Sequence, residues 1–450
     1  MSLSQTYFGD RDYYRNLFKV AVPLALTMLL QSCMSIVDSI MVSSIGMVTA
    51  VGNAGNILQL NDGINWGIVS GIAIFAAQFY GARQRDNIAR TFGLCLILMF
   101  GNALIWISAV YLFGEKILLF YLNDPELLKY SLIYIRIQII SLLPAAFCFS
   151  VSTLYRSQHN TRLPFVISTA GAVMNVLLNY LFIYVFRIGI AGAAYGTLIS
   201  TSVNALIYLF IIVRTKADFF IPEKMFDIRI GFIKPVISTM LPIIINETFF
   251  GLGMSLFNKA YGILGTKAMD AVYVANQIFN MFTFAIWGFG SAVSVLVGTT
   301  LGQGNIEKAK KEAKYQLGSA FVLGAVLSIL MCLFAGVYLS FFHISDPLTY
   351  NNARNILYVF ALKTFIRSFT YMLFSTLKAG GDSKILNLYD SGFMYLIGLP
   401  LAFGCAYLGV RNIAVLLLIV QLEQVIRLLF TIRRYNSYIW AKDLTKLVRS

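Results

Sequence analysis

The chain has 450 residues, of which 58% are hydrophobic and 12% are charged. Its mean hydropathy of +0.74 exceeds what a soluble core of this size requires and indicates a membrane protein. The net charge of +15 does not indicate nucleic acid, because the basic residues lie in alternate loops, as they do in proteins with many membrane spans. We therefore expect the lipid bilayer, and no nucleic acid, as a partner of the chain.

Twelve apolar segments follow one another along the chain, and each is long enough to cross a bilayer as a helix. Residues 1–15, which precede the first segment, are polar and lack the apolar stretch of a cleavable signal peptide. The segments cover residues 17–42, 50–79, 92–114, 130–155, 163–186, 191–213, 235–264, 272–300, 315–342, 355–378, 386–408 and 412–432. This pattern predicts an all-α integral membrane protein with twelve transmembrane helices.

Lysine and arginine are concentrated at both ends of the chain and in every second loop. The basic loops cover residues 83–90, 156–162, 214–234, 308–314 and 378–384. Cytoplasmic loops of membrane proteins carry such an excess, and the intervening loops here contain few basic residues. The sequence therefore predicts that both termini are cytoplasmic, in a multi-pass protein of the cell inner (plasma) membrane.

The second half of the chain repeats features of the first half. Asp124-Pro125 is echoed by Asp346-Pro347, and residues 153–162 are echoed by residues 376–384. Both copies have the same arrangement of basic loops. The repeat is therefore parallel, and its two copies are related by an axis along the membrane normal.

A parallel repeat of this kind predicts two pseudo-symmetric six-helix lobes. Two such lobes around a central cleft are typical of transporters that work by alternating access. The predicted parts of the chain are an N-terminal lobe at 1–213, a cytoplasmic linker at 214–234, a C-terminal lobe at 235–432 and a basic cytoplasmic tail at 433–450.

One carboxylate, Asp38, lies deep in the first apolar segment. A charged residue at the centre of a membrane helix costs roughly 2.5–3.5 kcal/mol, so it normally has a partner or lies on a transport pathway. Asn175 and Asn179 are one helical turn apart in the fifth segment, and their amides therefore share a face. Two alternatives stay open, namely Asp38 in a structural hydrogen bond or ion pair, and the asparagines as simple interhelical contacts.

A second acid, Asp62, lies near the middle of the second segment beside Asn61, Asn65 and Trp66. Polar side chains within the membrane normally face a water-filled cavity rather than lipid. We therefore predict that Asp62 and Asn65 line a wet cavity. The alternative is a broken or offset helix in which Asp62 lies at the membrane surface.

The second half of the chain carries charges of both signs within its apolar segments. They are Glu247, Lys259, Lys363, Arg367, Asp390, Glu423 and Arg427. Because an unpaired charge is costly in the membrane, internal ion pairs are the simplest interpretation. We expect at least one acid to be paired with a base in a buried group of Glu247, Asp390, Glu423 and Arg427.

Several short motifs occur in order along both halves of the chain. They are Pro23, VDSIMV at 37–42, FAAQFYG at 75–81, MNVLLNY at 174–180, GAAYGT at 192–197, Leu241-Pro242 with Asn246-Glu247, LKAGGDS at 377–383 and LPLAF at 399–403. Together they resemble the multidrug and toxic compound extrusion (MATE) family of transporters over nearly the whole chain. The resemblance implies cation-coupled efflux of amphipathic, often cationic, compounds.

In family members that resemble this chain, an oxygen cage in the N-terminal lobe binds sodium or a proton. Matched motif by motif, the resemblance places the cage at Asp38, Asn175, Asn179, Thr197 and the carbonyl of Ala193. A carboxylate, two amides, a hydroxyl and a carbonyl supply oxygen donors that suit a hard cation. Some members carry an acid where this chain has Asn179, which leaves the choice between Na+ and H+ open.

The C-terminal lobe departs from one branch of the family, which has an acid in the seventh helix and another in the tenth. This chain has Phe250 and Arg367 at those places, which puts the cation site of that branch in doubt. The chain is more similar to a bacterial branch with an acid in the eleventh helix and an acid and a base in the twelfth. For this lobe we predict a polar network of Glu247, Arg367, Asp390, Glu423 and Arg427.

The sequence thus favours a secondary antiporter that exports amphipathic, cationic xenobiotics in exchange for Na+ or H+ by alternating access. The alternative is a flippase for a lipid-linked precursor, which would need a basic cavity, and Lys259, Lys363 and Arg367 keep it open. An enzyme is not expected, because metal-ligand, nucleotide-loop and nucleophile motifs are absent. We expect small organic substrates, a monomer, and no cofactor apart from the coupling ion.

Overall fold

The computed structural model describes residues 7–120, 124–342, 344 and 346–448. Within these ranges, twelve helices are long and apolar enough to cross a membrane, which confirms the predicted all-α fold. They are α1 Arg11–Ser43, α2 Val48–Gly81, α3 Arg85–Leu119, α4 Pro125–Ser157, α5 Arg162–Val185, α6 Ile190–Thr215, α7 Ile230–Gly262, α8 Thr266–Gly302, α9 Ile306–Leu333, α10 Pro347–Ala379, α11 Ser383–Tyr407 and α12 Ile413–Asn436. Residues 449 and 450 of the predicted tail lie outside the described ranges.

Most helices extend beyond the apolar segments predicted above, because hydropathy marks only the stretch that fits the hydrocarbon layer. An Asp-Pro cap begins two of them, α4 and α10. Asp124 accepts hydrogen bonds from two backbone amides in the first turn of α4, at 2.9 and 3.1 Å. Asp346 accepts one from the Thr349 amide at 3.0 Å, at the start of α10. Proline follows each aspartate, so the repeated Asp-Pro pair is an N-terminal helix cap in both halves.

Two of the spans contain π-helical turns. α5 ends in one at Leu181–Val185, and α11 contains two, at Leu388–Gly392 and Met394–Gly398. Turns of this kind often occur at functional sites. In α11 the backbone carbonyl of Asp390 accepts a hydrogen bond from Arg427 at 2.9 Å. The hydropathy pattern does not predict these turns, because it carries no information on the hydrogen-bond register of the backbone.

The described chain forms two compact units. We call Leu26–Ile244 the N-unit, and we call the chain up to Ala25 together with Ile245–Lys446 the C-unit. Both boundaries lie inside a helix, α1 and α7, rather than in a loop. The start of α1 belongs to the C-unit because Leu17 and Leu24 are part of a buried apolar cluster with residues of α8, α9 and α10. Six-helix lobes with boundaries in loops therefore stay a prediction.

The stretch predicted as a polar linker is folded against the N-unit and includes one short helical turn. Phe219 is fully buried, and its ring lies 5.0 Å from the rings of Phe92 and Tyr155. Arg90 of α3 donates a hydrogen bond to Asp227 at 2.7 Å. One aromatic anchor and three ion pairs with α3, two of which are Arg85–Asp218 and Asp86–Lys224, thus attach a segment that composition alone describes as a loop.

The segment predicted as a basic tail packs onto the C-unit. α12 continues to Asn436, and Trp440 beyond it is fully buried. The indole stacks on Tyr435 with ring centroids 5.8 Å apart, and its Nε1 donates to the Tyr435 carbonyl at 3.0 Å. Arg434 donates to both carboxylate oxygens of Asp382, at 2.7 and 3.0 Å. Most of this segment's described residues are therefore part of the folded unit.

Candidate functional site

Asp38 of α1 meets the two asparagines of α5 inside the N-unit. Its Oδ1 atom accepts a hydrogen bond from Asn179 Nδ2 at 2.8 Å. The amide of Asn175, oriented so that both of its ends are satisfied, donates to the same atom at 3.1 Å. The Thr197 hydroxyl lies 3.2 Å from the Asn175 amide oxygen and 3.2 Å from the Ala193 carbonyl oxygen. The structure brings all five predicted positions together, and we call this group the Asp38 cage.

The cage forms where α5 and α6 approach each other closely. Asn175 and Asn179 are buried, with 6% and 1% of their surface exposed. The facing residue on α6 is Gly196, where a β-carbon would lie 2.0 Å from Asn179 Oδ1. That oxygen is buried and has no hydrogen-bond partner among the described residues. Because an unsatisfied buried acceptor costs about 1–3 kcal/mol, the position favours a donor or a cation beside it.

The oxygen atoms of the cage suit a hard cation or a proton. Asp38 supplies the charge, and the Thr197 hydroxyl and the Ala193 carbonyl supply neutral oxygens. Asn179 Oδ1 is available without the loss of a hydrogen bond. Oxygen ligands of these types are the ones that hard cations prefer. The residues present therefore fit either coupling ion, and their role in ion binding stays a prediction.

The cage lies at one end of a cavity of about 520 Å³ in the N-unit. Residues of α1, α4, α5 and α6 line most of it, and Leu30, Met34 and Phe149 are among its apolar walls. Pockets for drug-sized molecules typically measure roughly 300–1,000 Å³ and are mostly apolar, with few polar groups. Among the described residues that line this cavity, Asp38 is the only acid and Arg156 is the only base.

The polar residues predicted as a cluster in α2 differ in exposure. Asp62 is exposed, which is compatible with the predicted wet surroundings, and its role stays a prediction. Asn61 and Asn65 are buried and accept hydrogen bonds from Asn102 of α3, at 2.8 and 2.9 Å. Asn65 therefore joins α2 to α3, because a buried amide in a helix bundle is stabilised by an interhelical partner. Its place beside a wet cavity stays a prediction.

Arg427 of α12 is the centre of a buried polar network in the C-unit. Its guanidinium forms ion pairs with Asp390 of α11 and, at 2.5 Å, with Glu423 one turn earlier on α12. Arg427 and Glu423 are each 2% exposed. Asn246 of α7 donates to the second oxygen of Asp390 at 3.0 Å and accepts from the Ser391 hydroxyl at 2.6 Å. The network joins three helices through charged groups that all have partners.

Glu247 and Arg367, which were predicted in this network, lie at its margin. Glu247 forms an ion pair with Lys378 at 3.5 Å. Successive residues on a helix point about 100° apart, so Glu247 faces α10 while its neighbour Asn246 faces α11. The guanidinium of Arg367 lies over the Phe250 ring at 5.8 Å, and its Nε has no partner in the described part of the chain. The two positions where this chain departs from one family branch thus contact each other.

Four residues of these sites were missed as site residues in the sequence analysis, namely Arg156, Asn246, Lys378 and Ser391. Arg156 and Lys378 lie within one turn of the ends of α4 and α10, so their charge was assigned to cytoplasmic loops. The available signal for Asn246 was a polar residue one turn after a proline in an apolar span. Hydropathy does not show toward which neighbour a side chain at a helix end points.

These features define a membrane transporter. They are twelve apolar helices, a carboxylate held inside the membrane-spanning part and a drug-sized cavity beside it. A family model gives the particular class. The chain belongs to the MatE family, whose model matches residues 23–181 and 235–403. Members of this family are transporters and not enzymes, and the match in two stretches agrees with the internal repeat seen in the sequence.

Curated relatives extend this comparison over nearly the whole chain. The chain is 25% identical over 451 residues to multidrug and toxin extrusion protein 1 of Oryctolagus cuniculus, a match that covers 96% of this chain and 76% of that protein. It is 26% identical over 436 residues to multidrug and toxin extrusion protein 2 of Mus musculus, with 93% and 74% covered.

Solved structures share the fold. A crystal structure of MATE in complex with MaL6 superposes with a TM-score of 0.85 at 19% identity, and the match covers 97% of this chain and 99% of that one. A MOP superfamily transporter from Pyrococcus furiosus, described as having a binding pocket of reverse polarity, gives the same TM-score, identity and coverage. At this level of identity the similarity establishes the architecture alone.

Proposed function

We propose that this protein exports small amphipathic organic cations in exchange for Na+ or H+. The observation that carries the proposal is the Asp38 cage, in which two buried amides hold a carboxylate at one end of a largely apolar cavity. The relatives named above are multidrug and toxin extrusion proteins, which supports efflux. Phe149 and Tyr134 line the same cavity and suit flat cations through cation–π contact.

Coupling follows from competition for Asp38. A ligand shifts a conformational equilibrium only if it binds two states with different affinity. An ion in the cage contacts Asp38 of α1, Asn179 of α5 and Thr197 of α6, so it favours the arrangement in which these helices are close. A cationic substrate uses the same carboxylate from the cavity side and favours a wider arrangement. Downhill entry of the ion therefore expels the substrate.

We further propose that the protein is a monomer of the plasma membrane. The distribution of the basic loops supports an orientation with both termini in the cytoplasm. In a cysteine-free background, single cysteines at Arg83 and Lys216 should react with an impermeant maleimide only after the cells are opened. Labelling of both positions in intact cells would reverse the orientation.

A flippase for a lipid-linked precursor is the second candidate function. Lys363, Arg367 and Arg427 line one pocket of the C-unit, which has the basic character such a protein needs. This pocket measures about 50 Å³ and also contains Glu423, and Lys259 is exposed. A volume of this size holds only a few water molecules, far less than a lipid-linked head group. Efflux is therefore the function that we propose.

Ethidium efflux from vesicles that contain the purified protein tests the proposal. The rate is measured under an imposed Na+ gradient, under an imposed H+ gradient and without a gradient. We expect efflux under one or both gradients and none without. Movement of a lipid-linked precursor, with no ethidium efflux under either gradient, would contradict the proposal and support the flippase.

A further inference from the structure

We propose that the N-unit cavity contains an anion-binding subsite at the end opposite the Asp38 cage. Arg156, Ser152 and Tyr208 build this subsite, and its ligand is the carboxylate of an aromatic organic anion. The claim that such compounds are transported rests on the proposed efflux function. It adds substrates with a negatively charged end to those proposed above. As a statement about binding the proposal stands on the geometry of the N-unit.

Arg156 lies one residue before the end of α4 and lines the cavity. Its Nε atom is buried without a hydrogen-bond partner, and no carboxylate in the described ranges forms an ion pair with it. The Arg156 side chain is partly buried, and a charge withdrawn from water without a counter-charge is costly. An arginine near a helix C-terminus also stabilises the helix dipole, but that role does not explain a buried Nε with no acceptor. The missing acceptor points to an anion from outside the chain.

Two hydroxyls lie beside Arg156 and close to each other. Tyr208 and Ser152 are 2% and 7% exposed, and within the described chain neither hydroxyl has a hydrogen-bond partner apart from the other. Both residues line the cavity, and Tyr208 lies within electrostatic range of Arg156 and next to Ser152. A guanidinium and two hydroxyls are all donors, and arginine binds a carboxylate through two parallel N–H groups. A guanidinium without an acceptor, beside two hydroxyls that have only each other as partners, suits a carboxylate.

The walls of the cavity indicate an aromatic ligand. Phe149, Ile167 and Ala172 are among the apolar residues that line the cavity between Arg156 and the Asp38 cage, and such walls suit a flat ring better than an inorganic anion. On α5, Ile167 and Asn179 are separated by about 18 Å at 1.5 Å per residue. A compact aromatic carboxylate at Arg156 therefore leaves the Asp38 cage free. Asn204 Oδ1, which also lacks a partner in the described residues, can accept a hydrogen bond from a donor on the ligand.

Benzoate and benzamide distinguish charge from shape, because they share the ring and differ in the charged group. Binding of each probe to the purified full-length protein is measured by calorimetry in neutral detergent. We expect benzoate to bind wild type at least tenfold more tightly than benzamide. Arg156→Gln should remove this preference, whereas Arg162→Gln should keep it, because Arg162 is exposed at the same end of the unit. Equal binding of the two probes to wild type would overturn the proposal.

Two milder variants guard against a folding defect in Arg156→Gln. Tyr208→Phe and Ser152→Ala remove one hydroxyl each and leave the guanidinium in place. We expect each to weaken benzoate binding several-fold without a change in benzamide binding. Unchanged benzoate binding in both variants would overturn the assigned donors.

The ethidium assay on the same preparations separates this inference from the proposed function. Benzoate preference that persists in Asp38→Asn supports a subsite independent of the cage. Full gradient-driven efflux without any benzoate preference overturns the subsite and leaves the efflux function standing. Benzoate preference without gradient-driven efflux supports the subsite and overturns the proposed efflux function.

Discussion

At the scale of single residues, the contact between Gly196 and Asn179 decides whether the Asp38 cage can form. The Asn179 amide faces Asp38 with its nitrogen and Gly196 with its oxygen. A side chain on α6 at this position would push the amide away from the carboxylate. The cage thus depends on a residue that contributes no polar atom of its own side chain.

We expect Gly196→Ala to fold but to lose most of its gradient-driven efflux. The added methyl group would lie 2.0 Å from Asn179 Oδ1, and overpacking of this kind costs about 1–3 kcal/mol. If that strain destabilises the ion-binding arrangement, the efflux rate decreases about tenfold for each 1.4 kcal/mol. Gly55→Ala on α2 is the matched control, because nothing lies within 4 Å of its added methyl. Equal efflux by the two variants would contradict the role of Gly196.

Arg427 differs from Asp38, because its charge is neutralised by ion pairs inside the protein. Both of its acidic partners and Arg427 itself are shielded from solvent to a large extent. Removing one partner from a buried charge network leaves the others uncompensated, at a cost of about 3–5 kcal/mol. A carboxylate that is already paired with a guanidinium is also less available to a transported ion.

We expect Arg427→Met to lower the melting temperature strongly in a thermal-shift assay in detergent, consistent with this cost. Arg433→Met, six residues further along and exposed, should have little effect. Adding Asp390→Asn and Glu423→Gln to Arg427→Met should recover part of the loss, since the network is then neutral. Equal melting temperatures for the two arginine variants would show that the network does not stabilise the C-unit.

At the scale of elements, the linker segment is held by an ion pair whose strength depends on pH. Arg90 donates a hydrogen bond to Asp227, and this bond holds the pKa of Asp227 below its ordinary value. A carboxylate with a lowered pKa in the folded state stabilises the fold above its unfolded pKa of about 3.9. That contribution is lost as the pH falls through the lower, folded-state pKa.

We therefore expect Asp227→Asn to melt at a lower temperature than wild type at neutral pH. The difference should shrink on acidification, because protonated Asp227 in the wild type is then as neutral as the asparagine. Asp218→Asn is the control, since the Asp218 side chain is half exposed and its partner Arg85 is 71% exposed. A difference that grows as the pH falls would contradict the assignment.

Hydropathy and charge predicted the helices well, because each span needs about 20 apolar residues. The helix ends, the π-helical turns and the burial of Phe219 were missed, since they depend on caps and on tertiary contacts. The Asp38 cage was predicted residue by residue from a resemblance to a family. Arg156 was missed because a basic residue near the end of α4 was assigned to a cytoplasmic loop. Only the packing of α4 with α6 places it in the cavity.

At the scale of the whole molecule, the internal repeat supports two different kinds of site. The Asp-Pro caps are the same in both halves. The N-unit, however, surrounds a single acid with neutral amides, whereas the C-unit pairs two acids with an arginine. Because the first arrangement leaves a carboxylate free to exchange partners, our proposal places ion coupling in the N-unit.

Gradient-driven ethidium efflux by Asp38→Asn in reconstituted vesicles tests this assignment most directly. The substitution keeps the shape of the side chain and removes the charge that the ion and the substrate share. We expect a variant that folds and inserts but has lost ion-driven efflux, whereas Glu115→Gln, at an exposed acid on α3, behaves like wild type. Near wild-type efflux by correctly inserted Asp38→Asn, under the gradient that drives the wild type, would show that this carboxylate does not couple transport.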